Sequence, residues 1–166
     1  MSAPAGDSVS VTVLVAADPE TAFEVFTSEI DAWWRGGLKF RIGRGGSVIH
    51  LEGRVGGALF ESFDAPSGAK KTIRTGTVRV WEPPSRLVLD WRAVNFRPDE
   101  RTEVEVRFEP SRSGTRVTVT HRGWAAIRPD HPARHGNEVS VFLRELGGWW
   151  ADLATSLREH VLRRSL

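Results

Sequence analysis

Along residues 9 to 16, VSVTVLVA, valines stand at positions 9, 11, 13 and 15. That period of two predicts a strand with one buried face. Next, Asp18-Pro-Glu-Thr-Ala-Phe-Glu-Val-Phe26 puts Asp at an N-cap, Pro at the first helical position and Glu in the first turn, which together start a helix. Phe23 and Phe26, flanked by Ala22, share the side that meets a core. A second short helix is expected over Glu29 to Trp34, stopped by Gly36-Gly37.

From Phe40 to Trp124 the pattern is one of strands and turns. Strands are expected at Val48 to Leu51, Ala58 to Phe63, Thr72 to Trp81, Leu87 to Ala93, Thr102 to Glu109 and Thr115 to Arg122, divided by GRVGG, APSGAK, EPPS, NFRPDE and PSRSG. Such short connections predict an antiparallel sheet. Val104, Val106 and Phe108 alternate with Glu103, Glu105, Arg107 and Glu109, giving one dry face and one wet face. Val117 and Val119 repeat the alternation with His121 on their side, and Trp91 shares the inward side of Leu87 and Leu89. The outward Glu and Arg residues read as solvated charge.

After an irregular stretch from Ala125 to Gly136, Asn137 is positioned to cap a helix running to about Arg163. Its apolar residues, from Val139 to Val161 and including Leu146, Trp149, Trp150 and Leu153, form one broad stripe at helical spacing. Gly147 and Gly148 interrupt it, although each internal Gly costs about 1 kcal/mol against Ala. Close approach to the sheet can account for Gly147 at the stripe's edge but not for Gly148 on the opposite side, so a bend at the pair is the expectation. The order predicts an α+β fold: a curved antiparallel sheet, two short helices and one long carboxyl-terminal helix enclosing a cavity.

The chain has 166 residues, which suits one domain. The expected division is a flexible amino-terminal tail over residues 1–8 and a single domain over 9–163. Cys is absent, so disulfides and thiolate chemistry are excluded and nothing requires an oxidising compartment. MSAPAGDSVS has neither a basic nor an apolar signal region, and no apolar run is long enough to span a bilayer. A cytoplasmic protein without membrane insertion is expected. The net charge of +2 comes from basic residues spread through the chain, so no nucleic-acid partner is expected. A monomer or weak homodimer is the expected state.

Five short motifs, in order, resemble a known superfamily. They are the first strand with DPETAFEVFT and Ala32-Trp33-Trp34, Gly56-Gly57-Ala-Leu-Phe60, Gly76-Thr-Val-Arg-Val-Trp-Glu-Pro-Pro84, Gly114-Thr-Arg-Val-Thr-Val-Thr-His-Arg-Gly-Trp124, and Gly148-Trp149. Over about residues 9 to 162 the chain resembles the helix-grip or START-like fold, also called SRPBCC. Within it, the chain resembles the branch named after the activator of the heat-shock chaperone ATPase, abbreviated AHSA. The resemblance implies a grip cavity for a small apolar molecule, which some members use for cyclase, dehydratase or hydrolytic chemistry. Chaperone contact is not expected, because co-chaperones of this type carry a further amino-terminal domain and only eight residues precede the first strand here.

Candidate chemistry is sparse. No G-x-S-x-G is present, so no nucleophile elbow is expected. Gly43-Arg-Gly-Gly46 lacks the dinucleotide fingerprint and leads into a strand, so it reads as a flexible hairpin loop. His131 and His135 have a metal pair's spacing, but Pro129, Pro132 and Gly136 make the segment a loop. No catalytic residue, metal or cofactor is assigned. His121 reads either as a buried donor to a ligand or as a histidine satisfied by backbone or a Trp indole.

Aromatic use is lopsided, with Trp 7, Phe 8 and Tyr 0. Trp33, Trp34, Phe60, Trp91, Trp124, Trp149 and Trp150, with His121 and Leu153, are therefore the candidate lining of a cavity for a flat apolar or aromatic ligand. The leading expectation is ligand binding without catalysis, in sequestration, transport or resistance. The alternatives are an aromatase/cyclase-like or hydrolytic enzyme acting on a polyketide-like substrate, and an interaction module.

Overall fold

The computed structural model describes residues 7–44, 46–92, 96–128, 130–131 and 138–164. Within them the chain forms β1 (Ser8–Val15), α1 (Pro19–Ser28), α2 (Ile30–Trp33), β2 (Val48–Leu51), β3 (Ala58–Asp64), β4 (Lys70–Glu82), β5 (Arg86–Trp91), β6 (Thr102–Ser111), β7 (Gly114–Arg122), a 3-10 turn (Trp124–Ala126) and α3 (Val139–Arg164). The strands make one curved sheet of order β1-β7-β6-β5-β4-β3-β2, antiparallel throughout. From β2 to β7 the chain is a meander, as short turns require. β1 then closes the far edge by pairing with the last strand, Val9 opposite His121 and Val13 opposite Val117.

Local chemistry starts the first helix as expected. Pro19 occupies its first turn, and the Asp18 carboxylate accepts a hydrogen bond from the Thr21 N–H at 2.8 Å. That bond satisfies one of the orphan donors at the helix start. α1 buries Phe23 and Phe26 against Phe108 of β6, with ring centroids 5.0 and 5.6 Å away. α3 lies in the grip of the sheet, packed along β1 and touching α2. Leu87, Val106 and Leu153 have no exposed surface at the centre of the core. Each such burial stabilises the fold by about 1.5–3 kcal/mol before conformational entropy is set against it.

Two expectations change. Residues 1–6 of the expected tail lie outside the described residues, but Ser8 is already in β1 and Asp7 is buried, its carboxylate accepting from the Ala125 N–H at 2.5 Å. Secondly, Glu105 on the outer face is buried instead of solvated, because Arg86, Arg107 and Arg122 converge on it. Burial opposes its ionisation, and the Arg86 and Arg122 hydrogen bonds with the Arg107 charge more than offset this, so its carboxyl lies below the ordinary range.

α3 is one helix across both glycines, as expected. A Cβ on Gly147 would lie 3.0 Å from Val9 Cγ2, so this glycine lets the helix approach β1. Gly148 is exposed with open space around it, and nothing in the structure explains it. The expected caps and ends at Asn137 and Ala93 lie outside the described residues.

Candidate functional site

Between the sheet, α3 and the segment after α2 lies a cleft of about 1140 Å³. Five of the expected residues make a connected wall: Trp34, Trp91, His121, Trp124 and Trp149. Trp34 stacks on Trp91 at 6.4 Å between centroids and meets Trp149 edge-on at 5.8 Å. Trp91 in turn meets His121 edge-on at 5.6 Å, and His121 lies 5.3 Å from Trp124. The wall follows from strand and helix placement: β5 ends on inward Trp91, β7 carries inward His121, and Gly123 turns the chain at φ 101° so that Trp124 tucks under the sheet.

Of the other four, Trp33, Trp150 and Leu153 do not line the cleft. Trp33, 2% exposed, is core, its indole N–H donating to the Phe26 carbonyl at 3.1 Å. Leu153 is fully buried beneath the cleft floor, and Trp150 is 3% exposed in the same core cluster. Phe60, half-buried on β3, also lines the cleft, but no ring contact joins it to the tryptophan wall among the described residues. Its neighbours Leu59 and Glu61 take the buried positions of β3, and its ring stacks on His50 at 4.7 Å.

His121 is a satisfied histidine. The Trp150 indole N–H, which can only donate, donates to Nδ1 at 3.1 Å. Nδ1 is therefore unprotonated, and the neutral ring carries its proton on Nε2, which donates to Thr102 Oγ1 at 2.7 Å. The Thr102 hydroxyl donates onward to the Trp91 carbonyl at 3.1 Å. Burial pushes the imidazole down to about 3 from the ordinary 6.5. With both nitrogens engaged and the charged form disfavoured, His121 fixes Trp91 and Trp150 in place and is not free to exchange protons near neutral pH.

The sequence reading missed the strap from Leu38 to Gly43, of which Leu38 to Ile42 line the cleft. Trp34 Nε1 donates to the Phe40 carbonyl at 2.9 Å, and Trp149 Nε1 donates to the Lys39 carbonyl at 2.8 Å. Phe40 stacks on Trp149 at 5.7 Å. The Glu61 carboxylate accepts from the N–H groups of Ile42 and Gly43, at 2.9 and 2.6 Å, and Arg41 bonds the Asp31 carboxylate and the carbonyls of Trp34 and Ser47. Gly43 is thus no loose hairpin residue, since a Cβ there would sit 2.6 Å from the Phe63 ring. The available signal was Glu61, an acid at a buried position of a strand, which needs donors from somewhere. Of the histidine pair expected to be a loop, His131 is buried against Phe96 and His135 lies outside the described residues. Among the described residues no group of three potential metal ligands gathers.

A curved antiparallel sheet closed over a long helix, with an aromatic cleft between them, defines a helix-grip protein. The family model described as Activator of Hsp90 ATPase homolog 1-like protein matches residues 16–147, and the chain belongs to that family. Solved structures share the fold. A protein from Nitrosomonas europaea is 18% identical with a TM-score of 0.63, the match covering 99% of each chain. One from Mesorhizobium loti is 19% identical with a TM-score of 0.62, over 96% of this chain and 98% of that one. The AHSA1-like protein from Aeromonas hydrophila is 17% identical with a TM-score of 0.60, over 95% and 94%. At these identities the likeness is one of fold. No curated protein matches the sequence.

Proposed function

We propose that the chain binds a small hydrophobic or aromatic molecule in the cleft between sheet and α3, in sequestration, transport or resistance. The observation that carries this reading is the wall of Trp34, Trp91, Trp124 and Trp149 around about 1140 Å³, room for a drug-sized polycycle. Aromatic rings offer large rigid contact area at little entropic cost, so such a wall favours a flat ligand. The closed hydrogen-bond chain of His121 and the backbone-capped Glu61 support binding over catalysis, because neither is an unoccupied acid or base. The same reading takes residues 9–163 as one domain, a monomer or weak homodimer working in the cytoplasm. Among the described residues no helix is long and apolar enough to cross a membrane.

The test is denaturing extraction of freshly purified protein followed by mass spectrometry, with the released compounds titrated back by tryptophan fluorescence. Affinity is then compared between wild type and Trp149→Phe, which keeps a ring but loses the bond to Lys39. The expected outcome is a co-purifying apolar compound whose affinity falls about tenfold in the variant. Equal affinity in both proteins across a panel of aromatic and polycyclic compounds would remove Trp149 from the site and sink the cleft reading.

A further inference from the structure

The cleft's charges are unevenly satisfied. Its acids are already engaged: Glu61 by two backbone N–H groups, Asp90 by Arg79 at 3.3 Å, and Glu145 also has a partner. Two of its cations are paired, Lys39 with Asp152 and Arg41 with Asp31. Arg74, Arg92 and Arg101 border the same cleft and form no ion pair among the described residues, but Arg74 hydrogen-bonds Thr77 Oγ1 and feels the charge of Glu52.

The position of Arg92 and Arg101 is set by the sheet. Trp91 and Thr102 are the last pair of the β5–β6 ladder, so Arg92 and Arg101 are the two residues immediately beyond it, one after β5 and one before β6. Both side chains are exposed at the cleft's border. The backbone supplies one partner, the Arg97 carbonyl, which accepts from Arg92 Nη2 at 2.8 Å. A guanidinium has five N–H donors, so most of the donors of both arginines have no protein acceptor among the described residues. An anion reaching both would use the donors in the fork geometry that guanidinium prefers.

We infer that the ligand is an amphipathic anion: a flat apolar body lies against Trp34, Trp91 and Trp149, and its carboxylate or sulfonate is held between Arg92 and Arg101. This rests on the cleft-binding reading and narrows it to a chemical class. The aromatic wall supplies the apolar contact, and the twin guanidinium groups select the ligand's charge and fix its orientation, polar end at the β5–β6 ladder's end.

The test uses two probes of one shape. Anilinonaphthalenesulfonate carries a sulfonate that N-phenylnaphthylamine lacks, and both brighten in an apolar site. Titrations of the full chain are read for stoichiometry and dissociation constant. Both probes are expected to bind at one site, with the sulfonate at least about tenfold tighter and the difference shrinking as ionic strength is raised to about 1 M. Arg92→Gln and Arg101→Gln should each remove most of that preference while leaving the neutral probe's affinity unchanged, which also reports that the variants are folded. Arg107→Gln, on the outer face, should change neither. Equal affinities in wild type, or a preference that survives both substitutions, would overturn the anion and leave the cleft standing. Binding of neither probe would overturn both.

Discussion

Taking the pH from about 7 to about 5 crosses the ordinary titration range of histidine, and His121 is built to resist it. In the folded chain burial holds its imidazole at about 3, against 6.5 when exposed. Between those two values the unfolded chain binds a proton that the folded chain does not, so acid favours unfolding. The contribution is fully present above 6.5 and is lost as pH falls toward 3, at about 1.4 kcal/mol per unit, or about 2 kcal/mol by pH 5. That is a large share of a total stability of about 5–15 kcal/mol. The experiment is urea unfolding at a series of pH values on wild type and His121→Gln. The amide of Gln has an acceptor for the Trp150 N–H and a donor for Thr102, but it does not titrate. Every other ionisable group is common to both proteins, so the difference between their stabilities isolates position 121. Wild type is expected to lose about 2 kcal/mol more than the variant between pH 7 and pH 5. Parallel stability curves would refute the closed chain from Trp150 to Thr102, because an imidazole in contact with water would titrate alike in both states.

Two further outcomes test the helices. Asp18→Ala removes the acceptor of the Thr21 N–H and should cost about 0.5–2 kcal/mol in chemical unfolding, with probe binding in the cleft unchanged. Gly148→Ala adds a methyl group in open space inside a helix and should stabilise by about 0.5–1 kcal/mol, seen as a higher melting temperature. A loss of stability there would mean that the helix needs the glycine for a bend.

The strands and helices were legible because each has one dry face, and a period of two or of 3.6 records that face in the order of residues. His121 could be assigned an inward direction from Val117 and Val119 alone. Its partners could not, since Trp150 and Thr102 come from elements whose register is set only by the completed sheet. The same limit explains the adjacent tryptophans. Trp149 and Trp150 share one helical stripe, and the way the helix sits on β1 decides that the first looks into the cleft and the second into the core. Glu105 looked solvated because alternation gives direction but not company, and its arginines come from neighbouring strands as well as its own. The strap over the cleft has no periodicity to read, and its one trace is Glu61, the buried acid that holds Ile42 and Gly43.

The pairing of β1 with β7 has a consequence for how the molecule is made. Ser10 Oγ meets Thr120 Oγ1 at 2.8 Å across 110 residues of chain, so a strand delivered early waits for the end of the meander before it has a neighbour. Contacts of such long sequence separation form slowly, and an unpaired valine-rich edge invites pairing with another copy meanwhile. α3 arrives later still and seals β1 through Gly147 and Val9. Changes in residues 8–15 should therefore show themselves first as lost soluble yield during synthesis, before any deficit appears in the stability of the molecules that do finish folding.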